Sequence, residues 1–348
     1  MSVRYVPVGW SRTKLIYDAV LLAGVVLYLL IYLRLGQALQ PAFAPPDEGT
    51  LGMRAFGSCA FVLMSLVLCI GPLARLDRRF LPLLYNRRHF GVITCAMAVG
   101  HAMHVLGWYF AFSAVSPYVG VLTADVSFFQ LRGFPFIPFG IAALLVLAAL
   151  AFTSHDFWLN FLTPPVWKRL HMGIYAAYGL AVLHIAMGAL QSSANPLLAM
   201  VVALSVGTVC TLHVVAGMQA QADGPVPDAE GWIDAGRIEA IKEGHGIVVP
   251  LGQGRSAAIF RNEARLSAIS NLCAHQNGPL GEGRVIDGCV TCPWHGYQYR
   301  LEDGCAPGPF TEKLATFRLR IADGHVWLDP NANAPGTRVE PLPVEGGA

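Results

Sequence analysis

The chain changes character about two thirds of the way along. Over the first part, apolar runs with almost no charge recur at roughly 15–33, 55–74, 90–112, 134–153, 170–190 and 196–217. Each is close to the ~20 residues that a helix needs to cross a bilayer, and only a helix satisfies its own backbone in lipid. The pattern predicts a membrane α-helical bundle of six transmembrane helices over residues 1–217. Pro72, Pro135, Pro138 and Pro196 fall near the ends of these runs, where a missing N–H does least harm.

Residues 218–231 are small, polar and Pro-containing, and read as a linker. From Trp232 the period shortens to β-rich runs: 246–251, 256–259, 267–270, 284–289, 297–300, 316–321 and 325–328. Asp287-Gly288, Asp303-Gly304 and Asp323-Gly324 supply turn signals. This predicts a small all-β domain over residues 232–330. Gly252-Gln253-Gly254 reads as a hairpin turn, since no strand-then-helix context makes it a phosphate loop. The Pro-, Gly- and Ala-rich residues 331–348 are expected to be disordered.

Composition sharpens the division. A hydrophobic fraction of 54% with 13% charged residues is that of a membrane protein. The net charge of +2 hides a split: residues 1–217 carry 13 Lys/Arg against 6 Asp/Glu, and residues 218–348 carry 11 against 16. The second part is thus an acidic module on a basic membrane body, and no nucleic-acid partner is expected. Arg4, Arg12 and Lys14 lead into a segment too long for a signal-peptide core, so it is expected to be the first span. Basic residues concentrate at the N-terminus, in the second loop (Arg75, Arg78, Arg79, Arg87, Arg88) and in the fourth (Lys168, Arg169). The opposite loops offer only Arg34, Arg54 and Arg132. By the positive-inside rule both termini are cytoplasmic, in what is expected to be a bacterial inner membrane.

The clearest chemistry lies at Cys273-Ala274-His275 and Cys292-Pro293-Trp294-His295, two Cys/His loops with sixteen residues between His275 and Cys292. Two Cys and two His could also hold zinc. The interleaved ligand order, the short Cys-x-His spacing and the lack of a following recognition helix argue against that. The motif resembles the Rieske [2Fe-2S] motif, and the resemblance implies that Cys273 and Cys292 bind one iron and His275 and His295 the other. Rieske domains of the cytochrome bc type carry an extra Cys in each loop and a Ser after the last His-Gly. Here Tyr297 follows Gly296, and no loop disulfide can form. Both absences point to the lower-potential class.

Seven of the eleven histidines lie in the membrane part, and an ionisable side chain within a span is a functional-site candidate. His89, His101 and His104 lie on the third span, His171 and His184 on the fifth. The thirteen residues from His171 to His184 correspond to ~20 Å of helix, a ladder that would fit two b-type haems, one near each face of the membrane and each held by imidazoles from two helices. One or two haems b are expected. Arg87-Arg88-x-x-Gly91 followed by His101, and Trp167-Lys168-Arg169-Leu170-His171 followed by His184, resemble the ferric reductase-like transmembrane family over about residues 50–190. The resemblance implies haem-mediated transmembrane electron transfer, with His101, His171 and His184 as ligands. For the haem of His171 the second ligand stays open between His89 and His213.

An oxygenase is not expected, because ~115 residues leave little room for a mononuclear iron in a large domain of its own. A fused flavin and nicotinamide dehydrogenase is not expected either, for the same want of room and of a Gly-rich dinucleotide turn. The expected function is transmembrane electron transfer from a cytoplasmic flavoprotein reductase or ferredoxin, through the cluster and haem, to an extracytoplasmic acceptor. A terminal metal-chelate or oxygen reductase, and quinol-linked transfer in the reverse direction, are the alternatives.

Overall fold

A computed structural model describes residues 12–38, 48–84, 86–112, 114–123, 135–162, 164–192, 196–222, 227–252, 254–275, 277–294 and 296–344. The chain forms two compact units that part at Ala216 and Gly217.

The first unit is helical: α1 (Arg12–Ala38), α2 (Glu48–Leu76), α3 (Arg87–Phe112), α4 (Ile137–Phe152), α5 (Pro164–His171), α6 (Gly173–Met187) and α7 (Pro196–Ala222). Among the described residues, five stretches are long and apolar enough to cross a membrane: Lys14–Leu35, Glu48–Leu76, Arg87–Ala111, Val166–Gln191 and Pro196–Gln219. The sixth expected span is shorter, the 16-residue α4. The run expected over 170–190 starts earlier and is two helices end to end, with a turn at Met172 whose N–H donates to both Lys168 O and Arg169 O. The last helix runs to Ala222, so it takes in the first residues of the expected linker.

α2 is the central helix, with 56% of its apolar window buried against 6% for α1. Much of the bundle's outer face is apolar, with Phe110, Leu145 and Leu204 exposed. Lipid is as apolar as leucine, so nothing drives such residues inward. Inside, Phe61 stacks on Tyr178 at 5.4 Å. Ser65 donates to Phe61 O, which leaves its oxygen, 3.0 Å from the Tyr178 hydroxyl, as the acceptor of that contact.

The second unit is all-β: β1 (Ile233–Arg237), β2 (Gly246–Gly252), β3 (Arg255–Asn262), β4 (Arg265–Ser270), β5 (Arg284–Ile286), β6 (Cys289–Thr291), β7 (Gln298–Arg300), β8 (Thr316–Phe317), β9 (Leu319–Ala322), β10 (His325–Leu328) and β11 (Leu342–Pro343). They form three antiparallel sheets, β1-β10-β9, β11-β4-β3-β2 with β8 also on β4, and β5-β6-β7. Successive side chains of a strand point to opposite faces. In β3, Ala257 and Ile259 therefore enter one core with Val326 and Leu328, while Ala258 and Phe260 enter another with Tyr297 and Tyr299.

Three expectations change. The run 284–289 is a hairpin, because Asp287 and Gly288 both take positive φ (50° and 73°) and turn the chain between β5 and β6. The run 316–321 breaks at Arg318 and changes sheet, β8 pairing with β4 and β9 with β10. The tail expected to be disordered is instead pinned as far as Val344. Asn333, Gly336, Val339 and Val344 donate backbone hydrogen bonds to Thr316, Leu314, Glu302 and Ala264, and Leu342 pairs with Leu266 of β4. Composition suggested disorder, but hydrogen-bond acceptors waiting on the domain decide otherwise.

Candidate functional site

The all-β unit places its two motif loops at neighbouring strand ends. The first follows β4 and the second joins β6 to β7. Each is closed the same way. Cys273 N–H donates to Gly278 O at 2.9 Å and Asn277 N–H returns to Cys273 O at 2.8 Å; Cys292 N–H donates to Tyr297 O at 2.8 Å and Gly296 N–H returns to Cys292 O at 2.9 Å. The fourth residue after each Cys is left-handed, Asn277 at φ 62° and Gly296 at 69°. Asn and Gly are the residues that accept this conformation most readily. Gly278 is required for another reason: a Cβ there would lie 2.6 Å from Cys292 Sγ.

Cys273, Cys292 and His275 are 1%, 2% and 4% exposed. The Cys292 thiol lies within hydrogen-bonding reach of Cys273. That bond, opposed by burial and helped by the Tyr299 hydroxyl, pulls the Cys273 thiol down to about 6. His275 lies parallel to Tyr297 at 5.2 Å. Tyr299, fully buried, accepts from Ala274 N–H at 3.0 Å and has its hydroxyl 3.5 Å from Cys273 Sγ. Burial first, then the adjoining sulfur, push its phenol far above the ordinary value, so it stays a donor. His295 lies outside the described residues. Two buried thiols facing each other, one already acidic and beside a buried imidazole, fit a metal–sulfur group. Tyr299 and Asn277 were missed from sequence, although the Tyr-x-Tyr after the second loop was visible.

In the membrane unit, His101 on α3 and His184 on α6 come together, ring centroids 6.1 Å apart and planes at 79°. Two imidazoles sharing one metal through ~2 Å bonds need a centroid separation of about 6 Å. His101 Nδ1 donates to Met53 O at 2.9 Å and His184 Nδ1 to Phe136 O at 3.0 Å. Both Nε2 atoms are thereby left with lone pairs, the form a metal requires. The site fits a haem iron.

His171 has the same tautomer, its Nδ1 donating to Trp167 O at 3.0 Å, and its Nε2 is buried without a hydrogen-bond partner. Its face is covered by Trp167 at 3.7 Å, with the Arg88 guanidinium 4.8 Å from that indole. Trp167 is buried and its indole N–H donates to Thr153 O. Among the described residues no ring contact joins His171 to a second histidine. His89 faces α1, its Nδ1 2.7 Å from Asp18. His213 donates to Val209 O and meets the Tyr175 hydroxyl through Nε2 at 3.0 Å. Neither His89 nor His213 is in ring contact with His171 among the described residues, and the Nδ1 atoms of both are engaged, by Asp18 and by Val209 O. His104 packs against Phe56 at 5.1 Å.

Residues 231–318 match the Rieske [2Fe-2S] domain, and residues 56–182 match the ferric reductase-like transmembrane component. The chain is 37% identical over 98 residues to the anthranilate 1,2-dioxygenase ferredoxin subunit of Burkholderia cepacia, covering 88% of that protein and 27% of this one. The chain belongs to the Rieske [2Fe-2S] family. Its Rieske domain is also similar to the ferredoxin component of the alkene monooxygenase system of Xanthobacter autotrophicus, 30% identical over 118 residues, which are 88% of that protein and 34% of this chain. A solved ferredoxin from Sphingomonas yanoikuyae B1 matches 28% of this chain and 96% of its own, at 24% identity and a TM-score of 0.26. A Rieske domain joined to a ferric reductase-like transmembrane component makes this an integral membrane protein of electron transfer with a [2Fe-2S] centre.

Proposed function

We propose that the protein carries electrons across a membrane between a low-potential Rieske centre, held by Cys273, His275, Cys292 and His295, and a single b-type haem held by His101 and His184. The donor is a cytoplasmic flavoprotein reductase or ferredoxin, and the acceptor lies on the far side. The observation that carries this is the His101–His184 pair, with both Nδ1 atoms tied to backbone carbonyls and the rings 6.1 Å apart. When bound, the two groups supply one-electron redox chemistry. The chain's own part is to hold imidazoles and thiols in their ligating forms and to exclude water around them.

The charge asymmetry of the loops supports cytoplasmic termini, hence a cytoplasmic Rieske domain. The absence of any disulfide among the described cysteines, and of a Ser after Gly296, supports a low cluster potential. That favours flow from cluster to haem. The stacked His171, Trp167 and Arg88 support a role for His171 other than a second haem.

A potentiometric titration of purified protein, followed by visible absorption and EPR, tests this. Expected are one b-type haem per Rieske signal and a cluster potential below that of the haem. A colourless, zinc-containing protein, or a cluster potential well above the haem's, overturns the scheme.

A further inference from the structure

The two haem-facing histidines are held by the same device on two different helices. Met53 O accepts from His101, and four residues on, one turn along the same face of α2, is Gly57. Phe136 O accepts from His184, and four residues on, in α4, is Gly140. A Cβ at Gly57 would lie 2.8 Å from His101 Nδ1 and 3.1 Å from its Cε1. At Gly140 it would lie 2.7 Å from His184 Nδ1 and 2.8 Å from its Cε1. Ordinary carbon contacts begin at about 3.5 Å. These glycines are not there merely to let two backbones approach, because the three nearest atoms in each case all belong to the imidazole. On the same helix a Cβ at Gly52 would lie 2.8 Å from Cε1 of His104, so α2 seats two imidazoles on glycine, whereas Gly71 has nothing within 4 Å of its Cβ position.

We propose that Gly57 and Gly140 are positioning residues which, with the Met53 and Phe136 carbonyls, form two equivalent clamps that set the planes of the His101 and His184 rings. Each carbonyl fixes one ring nitrogen, and each glycine provides the flat bed on which the ring lies. Together they leave each imidazole one orientation, and the two planes cross at 79°. Phe136 is seated in turn over Gly188, where a Cβ would lie 2.6 Å from its ring.

This inference rests on the haem reading above. The angle between axial imidazole planes sets the splitting of the iron d orbitals, and with it the low-field EPR resonance of ferric low-spin haem. Near-perpendicular planes give a highly anisotropic signal with large gmax. The test compares full-length protein with Gly57→Ala, Gly140→Ala and, as control, Gly71→Ala, reading haem per cluster, gmax and haem potential. Expected for Gly57→Ala and Gly140→Ala is loss of haem, or retained haem with lowered gmax and a shifted potential, while the Rieske EPR signal stays intact. Gly71→Ala should match wild type. Wild-type haem content, gmax and potential in both Gly57→Ala and Gly140→Ala overturn the clamp. The same haem loss in Gly71→Ala overturns it too. Wild-type protein without haem instead sinks the haem reading itself, so the two failures are distinguishable.

Discussion

Tyr299 acts on the cluster site twice, through a hydroxyl that accepts from Ala274 N–H and lies beside Cys273 Sγ. A donor to a ligating sulfur stabilises the reduced, more negative state and raises the potential. Tyr299→Phe should therefore lower the cluster potential in an EPR-monitored titration while the cluster still assembles. It should also cost about 1–3 kcal/mol of domain stability for the N–H left without its partner. Asp303 gives a pH dependence. Burial raises its carboxyl, but hydrogen bonds from Arg300 and from Cys305 N–H outweigh this and hold it below the ordinary range. A depressed carboxyl adds stability above its unfolded value and loses it as pH falls through the folded one. Asp303→Asn should lower the thermal midpoint at neutral pH, and the gap from wild type should close in acid below about pH 4. A gap independent of pH would show that charge plays no part.

At the scale of elements, the tail and the bundle show what pattern alone misses. The segment 331–344 contributes four backbone hydrogen bonds from Asn333, Gly336, Val339 and Val344, and Leu342 packs at the edge of the core that holds Ile233 and Leu266. At about 1 kcal/mol per hydrogen bond, deletion from Asn331 onward should destabilise the Rieske domain by several times the effect of one surface substitution. Calorimetry of the full and truncated chains measures this. Unchanged melting would mean that the tail only decorates the surface. Hairpin β5–β6 was hidden inside one expected strand although Asp287-Gly288 stood in plain view. The turn's two left-handed residues outweighed the β-rich flanks.

For the whole molecule, the decisive test separates the histidines. His184→Ala should abolish the b-type haem spectrum and leave the Rieske EPR signal. His171→Ala should leave the haem content unchanged, because the structure gives His171 a tryptophan neighbour in place of a second imidazole. Half of the haem lost in His171→Ala would restore a two-haem ladder.

The spans, the change of period near Trp232 and the Cys-x-His and Cys-x-x-His loops were legible along the chain, because hydropathy and ligand spacing are local properties. So were His101 and His184 as candidates, since ionisable residues in apolar runs stand out. What the sequence could not rank was His89 against His213 as a partner for His171. That depends on which way each side chain turns about its helix, and the fold turns His89 to Asp18 and His213 to Tyr175. Nor could it single out Gly57 and Gly140 from the other glycines of the helices, or Tyr299 from the other tyrosines. Gly57 and Gly140 matter through contact with a histidine 44 positions away, and Tyr299 through contacts with residues 25 and 26 positions away. Packing alone decides which of many equivalent residues meets its partner.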